Sequence, residues 1–597
     1  MKNYLHKLKK PGEPLLLSIF NLLVFFCSVP GARYLYKKLF KNRSPKVVIV
    51  DYNDWVIEKI SDRQLTKKLA SVENPAELEK IGVALICNNA TPAAIQKWII
   101  DFYNTSPIQH LIILVTDNKE VTSFIYSVDT GLKNKSTIQV VSVSEFNSGA
   151  YETELTVIVL ATVQVKLDND CFISVINSLY RGDGNWDLAY YHNGKVDNDG
   201  TFSAPNFKPS FSPHHLLNTN YIGNSFAVKV DHCKQHPIDF QGADNELLHK
   251  YALEWSIGHK TKVIDAILYH EAKTADNLKA STLKASIDYL RKKGFESDTT
   301  NKNNNLRISV PPSQPLVSII IPTKDQAGRL KVAVESLIRL TEYKNYEIII
   351  LDNNSETPEF FALIEEWKVK QAKLIKCIEA KFPFNFSKLM NLGAANARGE
   401  YLLLLNNDVE IIEPNWLREM LGYAALPFSG AAGAKLLFED KSIQHAGIIL
   451  ENTEELTGHA FINIPNEATD GAIAPFDKVM NYPAITAACL LISKEKWDFV
   501  GGMDESLPVE YNDVAFCLSL KEQGFFNVYL PDSVLIHYES ATRGHPFRSL
   551  KSYQRHEKDL KIFKEKWGNY INKEMNKVSG SQLLLNEPDT NTEVVVI

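Results

Sequence analysis

The sequence predicts an α/β protein made of two tandem domains, each with a mostly parallel, Rossmann-like sheet. Three observations support this fold class. The chain has 597 residues, 45% of them hydrophobic, which is too long for one core and sufficient for two or three. Short apolar runs alternate with helical patterns, and the whole alternation occurs twice. Several runs end in polar residues, as strands do at the carboxyl edge of an open sheet, where α/β folds bind ligands.

The clearer copy of this pattern is predicted to span residues 316–545. It follows a polar, proline-containing stretch, residues 298–315, which is typical of an interdomain linker. Its first strand is VSIII, followed by a helical pattern over residues 328–340, and its second strand is YEIIIL, which ends at Asp352. Two strands of this copy therefore lead into the polar loops PTKDQ and DNNSE.

A third run in the same copy, YLLLLNNDVE at residues 401–410, is the most informative stretch of the chain. Its leucines indicate a buried parallel strand, and they end abruptly in Asn406, Asn407 and Asp408. A carboxylate at such a strand end is a hard oxygen ligand suited to Mg²⁺ or Mn²⁺. The alternative is an Asx turn in which Asn407 and Asp408 cap a helix predicted over residues 414–423.

A fainter copy is predicted within residues 44–297. GVALIC and HLIILV reproduce the order and spacing of the first two strands, which favours a duplicated domain. Residues 155–160 correspond to the leucine run, but they end in Ala161, Thr162 and Val163, so the carboxylate is missing. Residues 546–597 are predicted to be C-terminal helices followed by a loose tail.

The amino terminus, residues 1–43, is predicted to be an apolar and basic helical segment. Its apolar run at residues 15–29 is shorter than the roughly 20 residues that span a bilayer, and basic residues lie on both sides. We therefore expect a cytoplasmic protein with an in-plane helix on the inner face of the membrane, making peripheral contact through residues 15–43. The alternative is a helix packed on the protein's own surface.

Charge and cysteine content exclude other classes. The net charge of −6 and the absence of a basic stripe argue against a nucleic-acid partner. The seven cysteines are widely spaced and form no CxxC pair, which argues against a disulfide framework and a zinc site. They indicate buried thiols in a reducing compartment.

Two further elements of the second copy carry candidate chemistry. Asp513 lies in the first turn of a helix predicted within residues 509–524, where the helix dipole favours its ionised form, so it could accept a proton; the alternative is that it only stabilises the helix. The stretch LIHYESATRG, an apolar strand followed by polar residues, carries His537, a possible metal ligand, and Arg543, which could hold phosphate as a hydrogen-bond donor. Taken singly, a histidine beside a strand is more often structural.

Together these pieces resemble the family 2 glycosyltransferases of GT-A fold, in the bacterial O-antigen and surface-polysaccharide, rhamnosyltransferase-like branch. The matching motifs occur in family order: PLVSIIIPTKDQ, YEIIILDNNSE, FNFSKLMNLGAANARGEYLLLLNNDVEII, QHAGIIL, ITAACLLISKEKWDFVGGMDES, YNDVAFCL and HYESATRG. The resemblance implies tandem GT-A domains with a catalytic second copy. Where relatives commonly continue with a further carboxylate and an arginine, this chain has Ala515 and Ser519, which leaves acceptor specificity open.

The resemblance also implies residue roles. The metal would be held by Asp408 and His537, with Asn406 and Asn407 completing the family's DxD position; Asp513 would be the general base; Asp504 would meet sugar hydroxyls. The nucleotide-sugar donor would be bound by residues on the remaining loops, namely Thr323, Asp325, Asp352, Asn354, Asn391 and Arg398.

The first copy resembles the amino-terminal transferase-like domain of the same branch through NFKPSFSPHHLLNTNYIG and ILYHEA. Asp117 and His270 are expected to survive from the family pattern, and Asp244 is the candidate base. Asp168 and Asp170 are interpreted as a helix start and not as a metal motif. Without a metal ligand this copy is expected to be non-catalytic, with a metal-independent second transferase as the alternative.

The expected function is an inverting, metal-dependent hexosyl- or deoxyhexosyltransferase using Mn²⁺ or Mg²⁺. It would move a sugar from a nucleoside-diphosphate sugar to a hydroxyl of a growing or lipid-linked surface glycan. The alternatives are a non-catalytic glycan-binding protein of the same fold and a bifunctional transferase with both copies active. A nucleotidyltransferase is disfavoured, because the loop after the first strand of the second copy contains only Gly328 and is not glycine-rich.

Overall fold

The computed structural model describes residues 46–50, 80–105, 111–127, 138–149, 154–180, 184–197, 200–238, 243–272, 278–300, 303–451, 453, 455–466, 475–538, 550–577 and 592–596. The predicted membrane segment at residues 15–43 and the candidate phosphate ligand Arg543 lie outside these residues. In the part of the chain so described, no helix combines the length and the apolar character needed to cross a membrane.

The chain divides into two compact units. One comprises Met1–Lys59 with Ser581–Ile597. Of it the structure describes strand β1 (Lys46–Val50), which pairs in parallel with Thr592–Val596. The other unit, Ile60–Gly580, contains both copies of the predicted domain.

The first copy is built on a sheet that is parallel over its first four strands and mixed beyond them. Its strand order is β4-β3-β2-β5-β9-β7-β10-β6, with β8 paired to β7. The elements in chain order are β2 (Ile81–Ile86), α1 (Pro92–Thr105), β3 (Ile112–Val115), α2 (Lys119–Ser127), β4 (Ile138–Val141), α3 (Val143–Ser148), β5 (Val157–Thr162), β6 (Val165–Leu167), α4 (Cys171–Tyr180), β7 (Leu188–Val196), β8 (Phe202–Asn206), α5 (Pro213–Asn218), β9 (Ser225–Lys229), α6 (Val230–Gln235), α7 (Asp244–Ser256), β10 (Thr261–Ala272) and α8 (Leu278–Lys292).

The second copy repeats this topology. Its order is β15-β14-β13-β16-β23-β18-β24-β17, with β19 paired to β18 and β22 to β24. The elements, including the hairpin that precedes the copy, are β11 (Ser297–Thr299), β12 (Leu306–Ile308), β13 (Val317–Thr323), α9 (Ala327–Leu340), β14 (Tyr346–Asp352), α10 (Pro358–Lys370), β15 (Ile375–Glu379), α11 (Phe386–Asn396), β16 (Tyr401–Leu405), β17 (Val409–Ile411), α12 (Trp416–Ala424), β18 (Ser429–Leu437), β19 (Ile443–His445), β20 (Ile448–Leu450), β21 (Thr457–His459), β22 (Met480–Asn481), β23 (Cys489–Ser493), α13 (Lys494–Val500), α14 (Asn512–Glu522), β24 (Phe526–His537) and α15 (Leu550–Lys577); β25 is the outer strand Thr592–Val596.

These sheets confirm the prediction of two tandem α/β domains. The central strands read as continuous apolar runs because both of their faces are covered: every residue of β13 and of β14 is buried. One set of core residues packs on α9 and α12, and another packs on α11 and α14. The sheet is thereby fixed, and its carboxyl edge becomes a rigid platform.

The motif SPHHLLNTN of the first copy forms the contact between the copies. All six residues of α5 are buried. The His214 ring lies 2.7 Å from the Ser429 hydroxyl, and the Asn218 amide donates to the Tyr423 hydroxyl at 3.1 Å. Burial lowers the pKa of His214 to about 3, so the ring is neutral at this interface.

The stretch predicted as a linker is folded against the second copy. Strands β11 and β12 pair as an antiparallel hairpin. The Asn305 amide in its loop donates to Asp532 at 3.0 Å, and Arg307 forms an ion pair with Glu419 at 2.6 Å. The prolines after the hairpin lead directly into β13.

Candidate active site at the carboxyl edge of the second sheet

Four strand ends of the second copy meet at one edge of the sheet. Strands β13, β14 and β16 are parallel, so Thr323, Asp352 and the loop after Leu405 lie side by side. Strand β24 reaches the same edge through β17, where His537 pairs with Val409. The predicted gathering of polar strand ends therefore occurs in the folded chain.

Asp408 and His537 form the centre of this edge. The Asp408 carboxylate lies 3.2 Å from Nε2 of His537, and both side chains are buried. Their backbones are tied as well, because the Tyr538 amide donates to the Asp408 carbonyl at 2.9 Å. The side chains are thus held face to face by the sheet itself.

A third residue, Gln444 of β19, fixes the His537 ring. Nδ1 of His537 lies 2.6 Å from Oε1 of Gln444, an oxygen that can only accept, so Nδ1 carries the proton. Nε2 then presents a lone pair, and it accepts a hydrogen bond from the Asn406 amide at 3.1 Å. A histidine that donates its other N–H while its lone pair faces a carboxylate has the arrangement of a metal ligand.

The Asp408 and His537 side chains therefore fit a divalent cation. An oxygen and a neutral imidazole nitrogen, buried and 3.2 Å apart, offer a donor set that suits Mn²⁺ and also accommodates Mg²⁺ through the carboxylate. The alternative, an Asx turn that caps the following helix, is wrong. Helix α12 begins at Trp416, well beyond this loop, and the Asn407 amide instead donates to the Thr323 hydroxyl at 2.9 Å.

The loops after β13 and β14 are locked together by Asp325. Its carboxylate accepts from the backbone amides of Glu356 and Thr357 at 2.7 and 2.9 Å, and its own amide donates to Ser355. The Glu356 amide, against a smaller effect of burial, holds the pKa of Asp325 below its usual range. Asp325 is therefore an ionised brace at the rim of the site.

Asp352 and Asn354 shape the second loop. The Asp352 carboxylate accepts from the Ser355 amide at 2.9 Å, and the Asn354 amide donates to the Phe382 carbonyl at 3.0 Å. Asn353, which was not singled out from the sequence, is more deeply placed and donates to the carbonyls of Ala380 and Phe382. These contacts tie the loop after β14 to the segment that follows β15.

Arg398 does not reach this edge. Its guanidinium pairs with Glu347 at 2.7 Å, and Glu347 is aligned with Ser318 near the start of β13 and β14. Thr323 lies five positions further along the strand than Ser318, a distance of about 16 Å. The expectation that Arg398 lines the donor pocket is corrected: it supports the amino edge of the sheet, because the turn after α11 returns the chain there.

Asn391 and Asp504 organise the loop before α14. The Asn391 side chain donates to the Met503 carbonyl and accepts from its amide, both at 2.9 Å. Asp504 accepts from Ser506 and pairs with Lys566 of α15 at 3.1 Å. Burial opposes the charge of Asp504, but the Ser506 and Lys566 contacts outweigh it and hold its pKa below the usual range.

Asp513 lies in the first turn of α14, as the sequence predicts. Its carboxylate accepts from the Val514 amide at 2.9 Å and from the Ala487 amide at 3.2 Å. The carbonyl of the next residue, Ala488, accepts from the backbone amide of Asn406 at 3.0 Å. A single dipeptide thus connects the candidate base to the metal-binding loop.

Several residues of this region were not predicted from the sequence to belong to the site. His445 lies beside His459, with 3.0 Å between their Nδ1 atoms, and burial keeps the pKa of His445 well below its usual range. Tyr511, at a positive φ of 61°, bonds to Glu455 and stacks on Phe563 of α15. These residues lie far apart in the chain, so the spacing of motifs could not group them. The motif QHAGIIL does, however, contain Gln444 and His445.

The same edge of the first copy can be matched residue by residue through backbone hydrogen bonds. In the first copy the Val230 amide donates to the Thr156 carbonyl, and the Ala272 amide donates to the Gln164 carbonyl. In the second copy the equivalent bonds run from Lys494 to Glu400 and from Tyr538 to Asp408. The positions of Asn406, Asn407 and Asp408 are therefore occupied by Thr162, Val163 and Gln164. This match lies one residue later than the predicted Ala161, Thr162 and Val163, and the carboxylate is still missing.

Two further expectations for the first copy are corrected by the same pairing. Val165 pairs with Glu271, as Val409 pairs with His537, so Glu271 takes the histidine's place. His270 instead binds Asp168 at 2.9 Å, fully buried. Similarly, the β2–β3 register makes Thr116, and not Asp117, the position that corresponds to Asp352 of the second copy.

Comparisons with known proteins agree with the geometry. Residues 318–460 match the profile of the family described as Glycosyl transferase family 2. The chain is 33% identical over 369 residues to O-antigen biosynthesis protein RfbC of Myxococcus xanthus, covering 60% of this chain and 29% of that protein. It is also 33% identical over 424 residues to the uncharacterized protein y4gI of Sinorhizobium fredii, covering 67% of this chain and 46% of that protein.

The chain therefore spans less than half the length of these curated relatives. Among solved structures, GalNAc-T7 with UDP, GalNAc and Mn²⁺ superposes with a TM-score of 0.36 at 15% identity, over 47% of this chain and 54% of that one.

Proposed function

We propose that this protein is an inverting glycosyltransferase whose second copy carries the chemistry, because residues 318–460 match the Glycosyl transferase family 2 model. Its donor is a nucleoside-diphosphate sugar, and its acceptor is a hydroxyl of a growing surface glycan. The observation that carries the proposal is the buried Asp408–His537 pair, linked to Asp513 through Asn406 and the dipeptide Ala487–Ala488.

The donor lies across the strand ends of β13, β14 and β16 in this proposal. Thr323 and Asp352 face the nucleoside, with Asp325 and Asn354 holding the two loops in place. Asp504 and Asn391 support the loop that meets the sugar. Mn²⁺ or Mg²⁺ held by Asp408 and His537 would neutralise the diphosphate as it departs.

The reaction is one displacement. Asp513 accepts the proton of the acceptor hydroxyl, whose oxygen forms a bond to the anomeric carbon as the bond to the nucleoside diphosphate breaks on the opposite face. The configuration at that carbon inverts. Asp513 suits this step because it accepts two backbone amide bonds, which orient its carboxylate at the start of α14.

The test is a donor screen with the purified full-length protein. Nucleoside diphosphate release is measured from a panel of sugar nucleotides with Mn²⁺, with Mg²⁺ and with a chelator. We expect release with a small subset of donors, dependent on the metal and abolished by Asp513→Asn. No release from any donor, together with nucleotide or glycan binding that is unchanged in Asp513→Asn, would favour a binding protein of the same fold.

A further inference from the structure

A histidine cluster in the first copy lies apart from the candidate active site. His232 and His236 are four residues apart at the end of α6, and His259 lies in the turn between α7 and β10. One ligand atom from each residue falls within 4.8 Å of the others. The ring centroids are 4.4 to 4.6 Å apart, and the rings are steeply inclined to one another.

We propose that His232, His236 and His259 form a Zn²⁺ site that fastens the carboxyl ends of α6 and α7 together. Three nitrogens on a tetrahedral zinc ion, each at 2.0 to 2.1 Å, are about 3.3 Å apart. The three ligand atoms, now within 4.8 Å of one another, reach this separation if side-chain rotations move each of them by about 1 Å. His236 and His259 are only partly buried, so their rings have room for that movement.

The surroundings of His232 orient its ring for this task. Its Nε2 lies 3.2 Å from the Trp255 carbonyl, which can only accept, so Nε2 carries the proton and Nδ1 presents a lone pair. Metal-binding histidines are commonly held in this way by a backbone carbonyl. Trp255 also braces the second ligand, since its indole N–H donates to the His236 carbonyl at 3.0 Å.

The charges around the cluster favour a cation. Asp187 acts on both His232 and His259, and Glu254 acts on His259, whereas Lys293 acts on His259 in the opposite sense. One Glu254 oxygen pairs with Lys293 at 2.8 Å, while the other, Oε2, is buried and makes no hydrogen bond to any residue within the described ranges.

This cluster lies at the amino edge of the first sheet. It follows the end of β9 and precedes β10, whose first residue Thr261 pairs with the first residue of β7, Leu188. The positions that match the second copy's metal loop, Thr162 to Gln164, lie at the opposite edge. The ion would therefore stabilise the fold, and its loss should leave the chemistry of the second copy intact.

The experiment measures Zn²⁺ binding by metal-free, full-length protein in competition with a chromophoric chelator. Every sample carries Asp408→Asn, so that zinc at the candidate active site does not contribute. We expect one Zn²⁺ per chain. His236→Ala and His259→Ala should each weaken binding by more than about 100-fold, beyond the effect of an outer-shell change. Gln235→Ala, an exposed neighbour on α6, is the matched control and should bind as the parent does.

Folding of each variant is checked by circular dichroism and by urea unfolding without metal. Added Zn²⁺ should raise the melting temperature of the parent and of Gln235→Ala but not that of the two histidine variants. If one histidine variant does not fold, the other decides the matter by itself. Equal Zn²⁺ affinity in the histidine variants and in Gln235→Ala, or no binding by the parent, would overturn the proposal.

Discussion

The two copies share a backbone and differ in the side chains at one edge. Both sheets have the same strand order, and equivalent backbone hydrogen bonds tie the fourth parallel strand and the loop after it to the last two long strands. In the second copy this frame presents Asn406, Asn407 and Asp408 to His537. In the first copy the matching positions are Thr162, Val163 and Gln164, facing Glu271. The scaffold is thus independent of the ligand set it carries.

The first copy also contains a buried lysine in this region. The Lys208 ammonium donates to the Tyr269 hydroxyl at 3.0 Å, and the Glu271 carboxylate favours its charged form. Burial is the stronger influence and lowers the pKa of Lys208 to about 7. The matching region of the second copy instead carries Asp408 and His537, 3.2 Å apart.

The largest expected effect separates the two candidate bases. Asp513→Asn should lower kcat by about 1,000-fold, because the amide cannot accept the acceptor proton, while donor binding measured by calorimetry stays near the parent value. Asp244→Asn, the matched change in the first copy, should leave kcat unaltered. Loss of activity in Asp244→Asn with activity retained in Asp513→Asn would show that the roles of the two copies are reversed.

The next effect concerns the metal loop. Asp408→Asn should lower metal-dependent turnover by about 100-fold or more, since several kcal/mol of charge stabilisation depend on the ion. His537→Gln should act in the same direction. Gln164→Asn, at the position that matches Asp408, is the control and should turn over normally. A full response of Asp408→Asn to Mn²⁺ would place the ion elsewhere.

A smaller effect is expected at Gln444, which contacts the candidate metal ligand His537. Gln444→Leu frees Nδ1 of His537, so the ring can take the wrong tautomer, and the Mn²⁺ concentration for half-maximal activity should rise by about 10-fold. At saturating metal kcat should recover. Gln444→Glu, which keeps an acceptor oxygen, should lie closer to the parent. A drop in kcat that metal cannot restore would mean that Gln444 acts on the substrate instead.

Site residues at strand ends can be predicted from the sequence, whereas residues that come together only when the sheet folds cannot. The strand-ending polar residues Thr323, Asp352 and Asp408 were predictable, because parallel strands deliver their carboxyl ends to one edge. Arg398 was misplaced, since a motif does not reveal at which edge of the sheet a turn ends. His270 was favoured over Glu271 by residue type, and a one-residue strand register cannot be read from sequence alone. Gln444 and the histidine cluster depend on contacts between distant segments.

The last prediction concerns how the free energy of unfolding depends on pH through Asp244 of the first copy. The Asp244 carboxylate accepts from the Asn89 amide at 3.1 Å, yet burial outweighs this bond and raises its pKa from 3.8 to about 6. Between these two values the folded state binds more protons than the unfolded state, so this group lowers the free energy of unfolding as the pH rises from about 4 to about 6. Above pH 6 the full cost applies, at most about 3 kcal/mol at 1.36 kcal/mol per pKa unit.

Asp244→Asn removes the buried charge and keeps an oxygen that can accept from Asn89. We therefore expect the variant to exceed the parent in free energy of unfolding by about 1 kcal/mol at pH 8, and by almost nothing at pH 4, when both are unfolded in urea. Asp513→Asn, whose carboxylate is less buried and accepts two backbone amides, should show no such gain. An equal gain for Asp244→Asn at both pH values would mean that packing, and not charge burial, distinguishes the first copy.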